Sequence, residues 1–179
     1  MSDPRLDERA VRFLAYLQRY RDDRGALAAL RGTLSEARRQ RAWPLLGGFQ
    51  GAIGHPVYET VAALWAGDPA SPATAGSNLG HTLRLLGSEH NTFEGRLKRL
   101  LTCDRDEIAS RVVPVVRAAH AKGASVNYAR LLSDLLWWNE RTKVEWAKAF
   151  WEVPDEGASI APELLDEAHA VATTPEGEP

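Results

Sequence analysis

The chain has 179 residues, with 22 Lys plus Arg against 24 Asp plus Glu, 44% hydrophobic residues and a single cysteine, Cys103. That composition fits one globular domain able to bury its own core, and it excludes an internal disulfide and a cysteine-closed zinc site. The net charge of −2 hides a split: residues 1–151 carry +6, whereas residues 152–179 hold eight acids and no Lys or Arg.

The elements read as helices throughout. Leu6, Ala10, Phe13, Leu14 and Leu17 recur at three and four residues, with Asp3-Pro4 as a start signal. Gly25 separates this unit from a second, where Ala26, Leu27, Leu30 and Leu34 repeat the spacing and Arg31 and Arg38 face outward. Trp43-Pro44-Leu45-Leu46 opens a third helix, and the glycine-rich run 47–54 weakens regular structure. His55-Pro56 starts a helix packed through Val57, Val61, Leu64 and Trp65. The stretch Gly67–Ser77 reads as a loop. Leu79, Leu83 and Leu86 mark a short helix, and Phe93, Leu97, Leu100 and Leu101 mark the next. Asp104 and Asp106 are candidate caps for a helix bearing Ile108, Val112, Val115 and Val116, which Pro114 should kink or restart. Val112–Val116 is the one β-branched ambiguity. Gly123 is a stop and Asn127 a start for the stripe Tyr128, Leu131, Leu132, Leu135 and Leu136. Asn139 caps a last helix with Val144, Ala147, Phe150 and Trp151 inward. The fold class expected is therefore all-α: a compact single-domain helical bundle over residues 1–151. An acidic tail over 152–179 is expected to be disordered by its composition, with a transient helix over Ala161–Val171.

The familiar catalytic signatures are missing. There is no GxxxxGK[ST], no GxGxxG after a strand, no HExxH and no GxSxG. The histidines, His55, His81, His90, His120 and His169, show no metal-ligand spacing. Asp104, Asp106 and Glu107 read better as helix-start acids than as metal ligands. Ser88-Glu89-His90 is adjacent in sequence, which says little, because triads are assembled in space. No catalytic residue, metal or cofactor is expected. The charged N-terminal residues do not read as a signal peptide, no run approaches a membrane span, and a cytoplasmic location is expected.

The basic residues are more informative. Arg38, Arg39 and Arg41 form one cluster; Arg96, Lys98 and Arg99 form a second, with Arg105 further on. Arg117 and Lys122 follow, then Arg141 and Lys143. Each can neutralise phosphates, and Arg forks onto two oxygens at once. Helical proteins also coat their solvent faces with Arg, paired here with Glu94, Glu107 or Glu140. Of Trp137 and Trp138, about 100° apart on a helix, one should pack inside; the other can stack a base or cover an edge. Trp146 and Trp151 read as core.

The ordered set GALAALRGTLSEARRQRAWPLL, SNLGHTLRLLG, FEGRLKRLLTCDRDEI and VNYARLLSDLLWWNERTKVEWAKAFW resembles the CasB-type small subunit of the type I-E CRISPR Cascade complex. The resemblance covers about residues 6–153, and its strongest blocks are R-L-x-R-L-L-x-x-D-R and Y-A-R-L-L-x-D-L-L-x-W. It implies an all-α, non-catalytic protein, present as two copies beside the backbone subunits that hold the CRISPR RNA. It also implies basic faces that meet CRISPR RNA and the target and displaced DNA strands and stabilise the R-loop. The nucleic-acid contacts it suggests are Arg31 first, from the A-x-L-R element, then Arg96, Arg99 and Arg105, with Arg141 and Lys143; Lys98, Arg117 and Lys122 join them from the basic pattern alone. Arg38 and Arg39 are added by composition; Arg41 belongs to the same cluster without being among the suggested contacts. Gly32 stands where other members often carry a second basic residue, and the acidic tail exceeds the family core. That tail reads either as a solvated extension or as an intramolecular polyanion mimic. The alternative functional reading is a helical protein-interaction adaptor that touches no nucleic acid, with an unrecognised hydrolase a distant third.

Overall fold

The computed structural model describes residues 7–70, 77–87 and 90–152. The Asp3-Pro4 start signal, residues 71–76 of the expected loop, Ser88-Glu89 and the acidic tail beyond Glu152 lie outside the described residues. Among those described, every regular element is helical. The order is α1 (Glu8–Leu17), α2 (Arg24–Arg31), α3 (Trp43–Leu46), α4 (Pro56–Gly67), α5 (Leu79–Arg84), α6 (His90–Leu101), α7 (Arg105–Ala121), α8 (Tyr128–Leu136) and α9 (Glu140–Trp151). Short 3-10 turns at Gln18–Tyr20, Gly32–Leu34 and Arg39–Ala42 connect the first three.

Local capping chemistry sets most boundaries. Asp7, Asp23, Asn78, Asn127 and Asn139 each accept a backbone N–H of the first helical turn. Gly25 therefore sits inside the first turn of α2 and does not separate two units, because the Asp23 carboxylate holds the Ala26 N–H beyond it. At the far end of α7, Gly123 adopts φ +81°, and the Ala124 and Gly123 N–H groups return to the Ala119 and His120 carbonyls. This closing pattern requires a left-handed residue, which glycine supplies without strain.

Of the kink or restart expected at Pro114, the restart does not occur: α7 runs unbroken from Arg105 to Ala121. Proline removes one helical hydrogen bond, yet Val112, Val115 and Val116 around it are buried while Pro114 faces out. Tertiary burial of the valines on one face outweighs that single local loss, and it settles the β-branched ambiguity as helix.

Helix α4 is the centre of the core. Its residues from Val57 to Ala66 are all buried, not only the expected stripe. A helix apolar nearly all round must be covered on every side: α4 packs against α2, α7, α8 and the Gly32–Leu34 turn. The expected interior of α9 needs correction. Trp146 and Phe150 are buried, but Val144 is 42% and Trp151 39% exposed. The face is turned so that Thr142, Trp146 and Phe150 point inward, a pure i, i+4, i+8 stripe.

The tightest helix crossing is α5 against α9. A Cβ at Gly80 would collide with the backbone carbonyl of Trp146, so glycine is what lets the two backbones touch. Gly80→Ala gains about 1 kcal/mol of helix propensity. It must also separate two packed helices, an overpacking cost of roughly 3 kcal/mol. The second effect wins, and urea titration should show net destabilisation of roughly 2 kcal/mol.

Candidate nucleic-acid interface

Four arginines converge on one groove. The end of α2 supplies Arg31, the connection to α3 supplies Arg38 and Arg41, and the second half of α7 supplies Arg117. Together with Gly25, Ala28, Ala29, Gly32, Leu34 and Ser35 they line a hollow of about 620 Å³. Among the described residues, no carboxylate lines it. The small residues form a floor that brings backbone close to any occupant, while the guanidinium groups stand around it. At Gly32 a Cβ would lie 3.4 Å from the Arg38 Cβ, so the absent side chain keeps the groove open at its narrowest approach.

All four side chains are exposed. Arg31 donates its Nε–H to the Leu27 carbonyl at 3.2 Å, a bond to its own helix's last turn. Among the described residues none of the four has a carboxylate at ion-pair distance. Like charges gathered without acids repel one another, and a polyanion relieves that repulsion.

Arg39, between two of these residues, does different work. Its Nη2 meets Glu59 Oε2 at 2.9 Å, and Glu59 is 3% exposed. The other oxygen of Glu59 accepts the Trp43 indole N–H at 2.9 Å and the Gly54 N–H at 2.8 Å. Glu59 thereby ties the glycine-rich run, with Gly51 and Gly54 at positive φ, to the start of α3. The Nε of Arg39 is buried without a partner among the described residues.

A second basic region lies between α6 and α7. Arg96, Arg99 and Arg111 line a cleft of about 790 Å³ with Leu100, Cys103, Pro114 and Val115. Arg111 is 3.8 Å from Glu107, and burial raises the Cys103 thiol above its usual range. A hollow of about 650 Å³ separates the two regions, sharing Leu34 and Arg117 with the groove and Pro114 with the cleft. Its lining includes Glu36, Glu59 and Asp106. The two basic regions are therefore separate stations, with ground of mixed charge between them, where Glu36, Asp106 and the Arg39–Glu59 pair stand.

The other expected residues are engaged elsewhere. Lys98 pairs with Glu94 at 2.8 Å. Arg105 donates to the Leu136 carbonyl at 2.7 Å, fastening the start of α7 to the end of α8. Arg141 meets Glu145 at 3.3 Å, Lys143 lies 5.8 Å from the Trp138 ring centre, and Lys122 stands at the end of α7, where its backbone N–H closes the last turn. Of the tryptophan pair, Trp138 is buried and donates to the Cys103 carbonyl, while Trp137 is 61% exposed with its N–H fixed on Asp7.

Sequence reasoning missed a buried polar network. Arg130 is 4% exposed and reaches Asp134 at 2.8 Å and Glu145 at 2.9 Å. Asp134 also accepts the Trp146 indole N–H at 2.7 Å. Burial pushes the Asp134 carboxyl up, opposed by Arg130 and by the Trp146 and Arg130 hydrogen bonds. The signal was present as an Arg and an Asp at i, i+4 inside an apolar stripe. Burial also lowers the imidazoles of His55, His81 and His120. Among the described residues, no group of three His, Cys, Asp or Glu is placed to hold a metal, and no helix is long and apolar enough to cross a membrane.

The molecule is thus a small all-helical protein presenting two cationic hollows. The chain belongs to the family of the CRISPR-associated protein Cse2, whose profile matches residues 26–151. It is similar to a CRISPR-associated Cse2-family protein of Thermus thermophilus, at 28% identity and a TM-score of 0.65, over 80% of this chain and 98% of that one. It is also similar to CasB of Thermus thermophilus, at 29% identity and a TM-score of 0.64, over 86% and 100% of the two chains. CasB of M. ruber aligns at 25% identity and a TM-score of 0.61, over 80% and 92%. A chain of a CRISPR RNA-guided surveillance complex shares the fold at a TM-score of 0.65 and 19% identity. No curated protein matches the chain. The CasB-type resemblance and the all-α class both stand.

Proposed function

We propose that this protein is a non-catalytic subunit of a Cascade surveillance complex. In it, residues 1–151 form the working body, and the protein binds CRISPR RNA and target DNA through their sugar–phosphate backbones. The observation that carries the reading is the Arg31–Arg38–Arg41–Arg117 groove, which offers four guanidinium groups and, among the described residues, no competing carboxylate. Such a site reads phosphate spacing and not base identity. An R-loop exchanges one duplex for another at nearly balanced energy, so a few backbone contacts tip it toward the open state. The remaining partners are other Cascade subunits and a second copy of this chain.

Two protein classes, a phosphate binder and a protein adaptor, differ in their salt response. With single-stranded RNA, each phosphate neutralised contributes a slope of about 0.7 in log affinity against log salt. Fluorescence anisotropy across about 50–300 mM salt should give a slope of roughly −3 from the groove alone. A flat response would refute phosphate binding and favour the adaptor. Cleavage of the RNA by the pure protein with a divalent metal would overturn the non-catalytic assignment.

A further inference from the structure

The α6–α7 cleft has features the groove lacks. Its lining includes Leu100, Pro114 and Val115, with Arg96, Arg99 and the Arg111–Glu107 pair beside them. Neither Arg96 nor Arg99 has a carboxylate at ion-pair distance among the described residues. The chain leaves the folded body between α5 and α6: the Glu152 carbonyl accepts from Arg84 Nη1 at 2.9 Å, and the Trp151 indole N–H donates to Glu94 Oε1 at 3.4 Å, one residue before the cleft residues Gly95 and Arg96.

The acidic sequence beyond the body is complementary to this cleft. Ile160, Leu164, Leu165, Ala168 and Val171 recur at helical spacing, and Glu163, Asp166 and Glu167 lie between them. An apolar stripe flanked by acids matches an apolar lining flanked by arginines, the pattern by which amphipathic segments enter grooves. Seven residues, 153–159, separate the body from Ile160, and at about 3.3 Å each they span roughly 23 Å. That is enough to carry the segment from the end of α9 over the neighbouring face of α6.

We propose that the acidic segment Ile160–Val171 docks into the cleft between α6 and α7 of its own chain, covering Arg96 and Arg99. Docked there, the segment keeps the second basic station from nonspecific polyanions and leaves the four-arginine groove open. The contact is partly ionic, so added salt loosens it. The inference is independent of the function proposed above, because its test contains no nucleic acid.

The full chain carrying Cys103→Ser and Ala170→Cys would be labelled with a nitroxide at position 170 and its amide spectrum recorded. Docking predicts paramagnetic broadening strongest at residues 91–100 and 111–115, independent of protein concentration, and abolished by Leu164→Ser with Leu165→Ser. Broadening strongest around Arg31–Arg41, strongest around the exposed Leu85 and Val144, or nowhere in the body overturns the proposal. Broadening that grows with concentration overturns the intramolecular form of it. If Cys103→Ser disturbs the fold, the native-cysteine chain is compared with its Leu164→Ser/Leu165→Ser variant. Amide shifts at the same cleft residues then support docking, and identical spectra sink it.

Discussion

Replacing Arg31, Arg38, Arg41 and Arg117 together by alanine will cost the protein its affinity for single-stranded RNA while leaving its fold in place. Each side chain is exposed, and among the described residues their removal breaks the short-range Arg31 bond to Leu27 and no ion pair. Stability should change by less than about 1 kcal/mol, since exposed substitutions away from caps and networks are close to neutral. If each phosphate contact is worth about 0.7–1 kcal/mol at low salt, four contacts amount to roughly a hundredfold to a thousandfold in affinity. The salt slope should fall by about 3. The informative control is Arg39→Ala, one residue from Arg38. It strands the buried Glu59 carboxylate and should lower stability by about 3 kcal/mol. Anisotropy and urea denaturation on both variants give the answer. A quadruple variant that keeps its affinity, or that unfolds, would refute the groove as the binding surface.

That contrast between neighbours shows where the sequence stops being readable. Helix starts and stops were legible because capping is local: an Asn or Asp and the N–H groups it accepts lie within three residues, as at Asn127 and Asn139. The glycine stop at Gly123 is equally local. The basic cluster at 38–41 was legible as a cluster, but its division of labour was not. Glu59, which claims Arg39, lies on α4, and Arg117, which completes the groove, arrives on α7. Both facts depend on how helices pack and not on spacing along one of them. The same limit explains α9. Periodicity puts Val144, Ala147, Phe150 and Trp151 on one inward face. The packing of α5, with Gly80 against the Trp146 carbonyl, turns the helix so that Thr142, Trp146 and Phe150 face in. Lys98 and Arg141 pair one turn away on their own helices, with Glu94, an acid the sequence already offered, and with Glu145, whereas the Leu136 carbonyl that holds Arg105 lies on another helix and was not legible.

Arg130→Met will be the most destabilising single change at a charged residue of this chain, and the damage will shrink on acidification. Methionine fills most of the volume of the arginine stem, so packing loss is small and the electrostatic consequence dominates. Asp134 is left 5% exposed with its Trp146 bond but without its countercharge, and Glu145 loses one partner and keeps Arg141. Leaving a buried charge uncompensated costs about 3–5 kcal/mol. In the native protein burial already holds the Asp134 carboxyl above its ordinary value, and Arg130 opposes that shift. Removing Arg130 therefore raises it further. A carboxyl whose folded value lies above its unfolded one binds more protons in the folded state, so its contribution is full at low pH and is lost as pH rises through the folded value. The variant should thus sit about 3–5 kcal/mol below the native protein at about pH 7 and recover part of the gap at about pH 5. Adding Asp134→Asn to Arg130→Met should remove most of that pH dependence, since the amide keeps an acceptor for Trp146 and carries no charge. Urea denaturation of the three proteins at both pH values decides the matter. A gap that stays constant or widens on acidification would mean that the arginine acts through packing and not through the charge of Asp134.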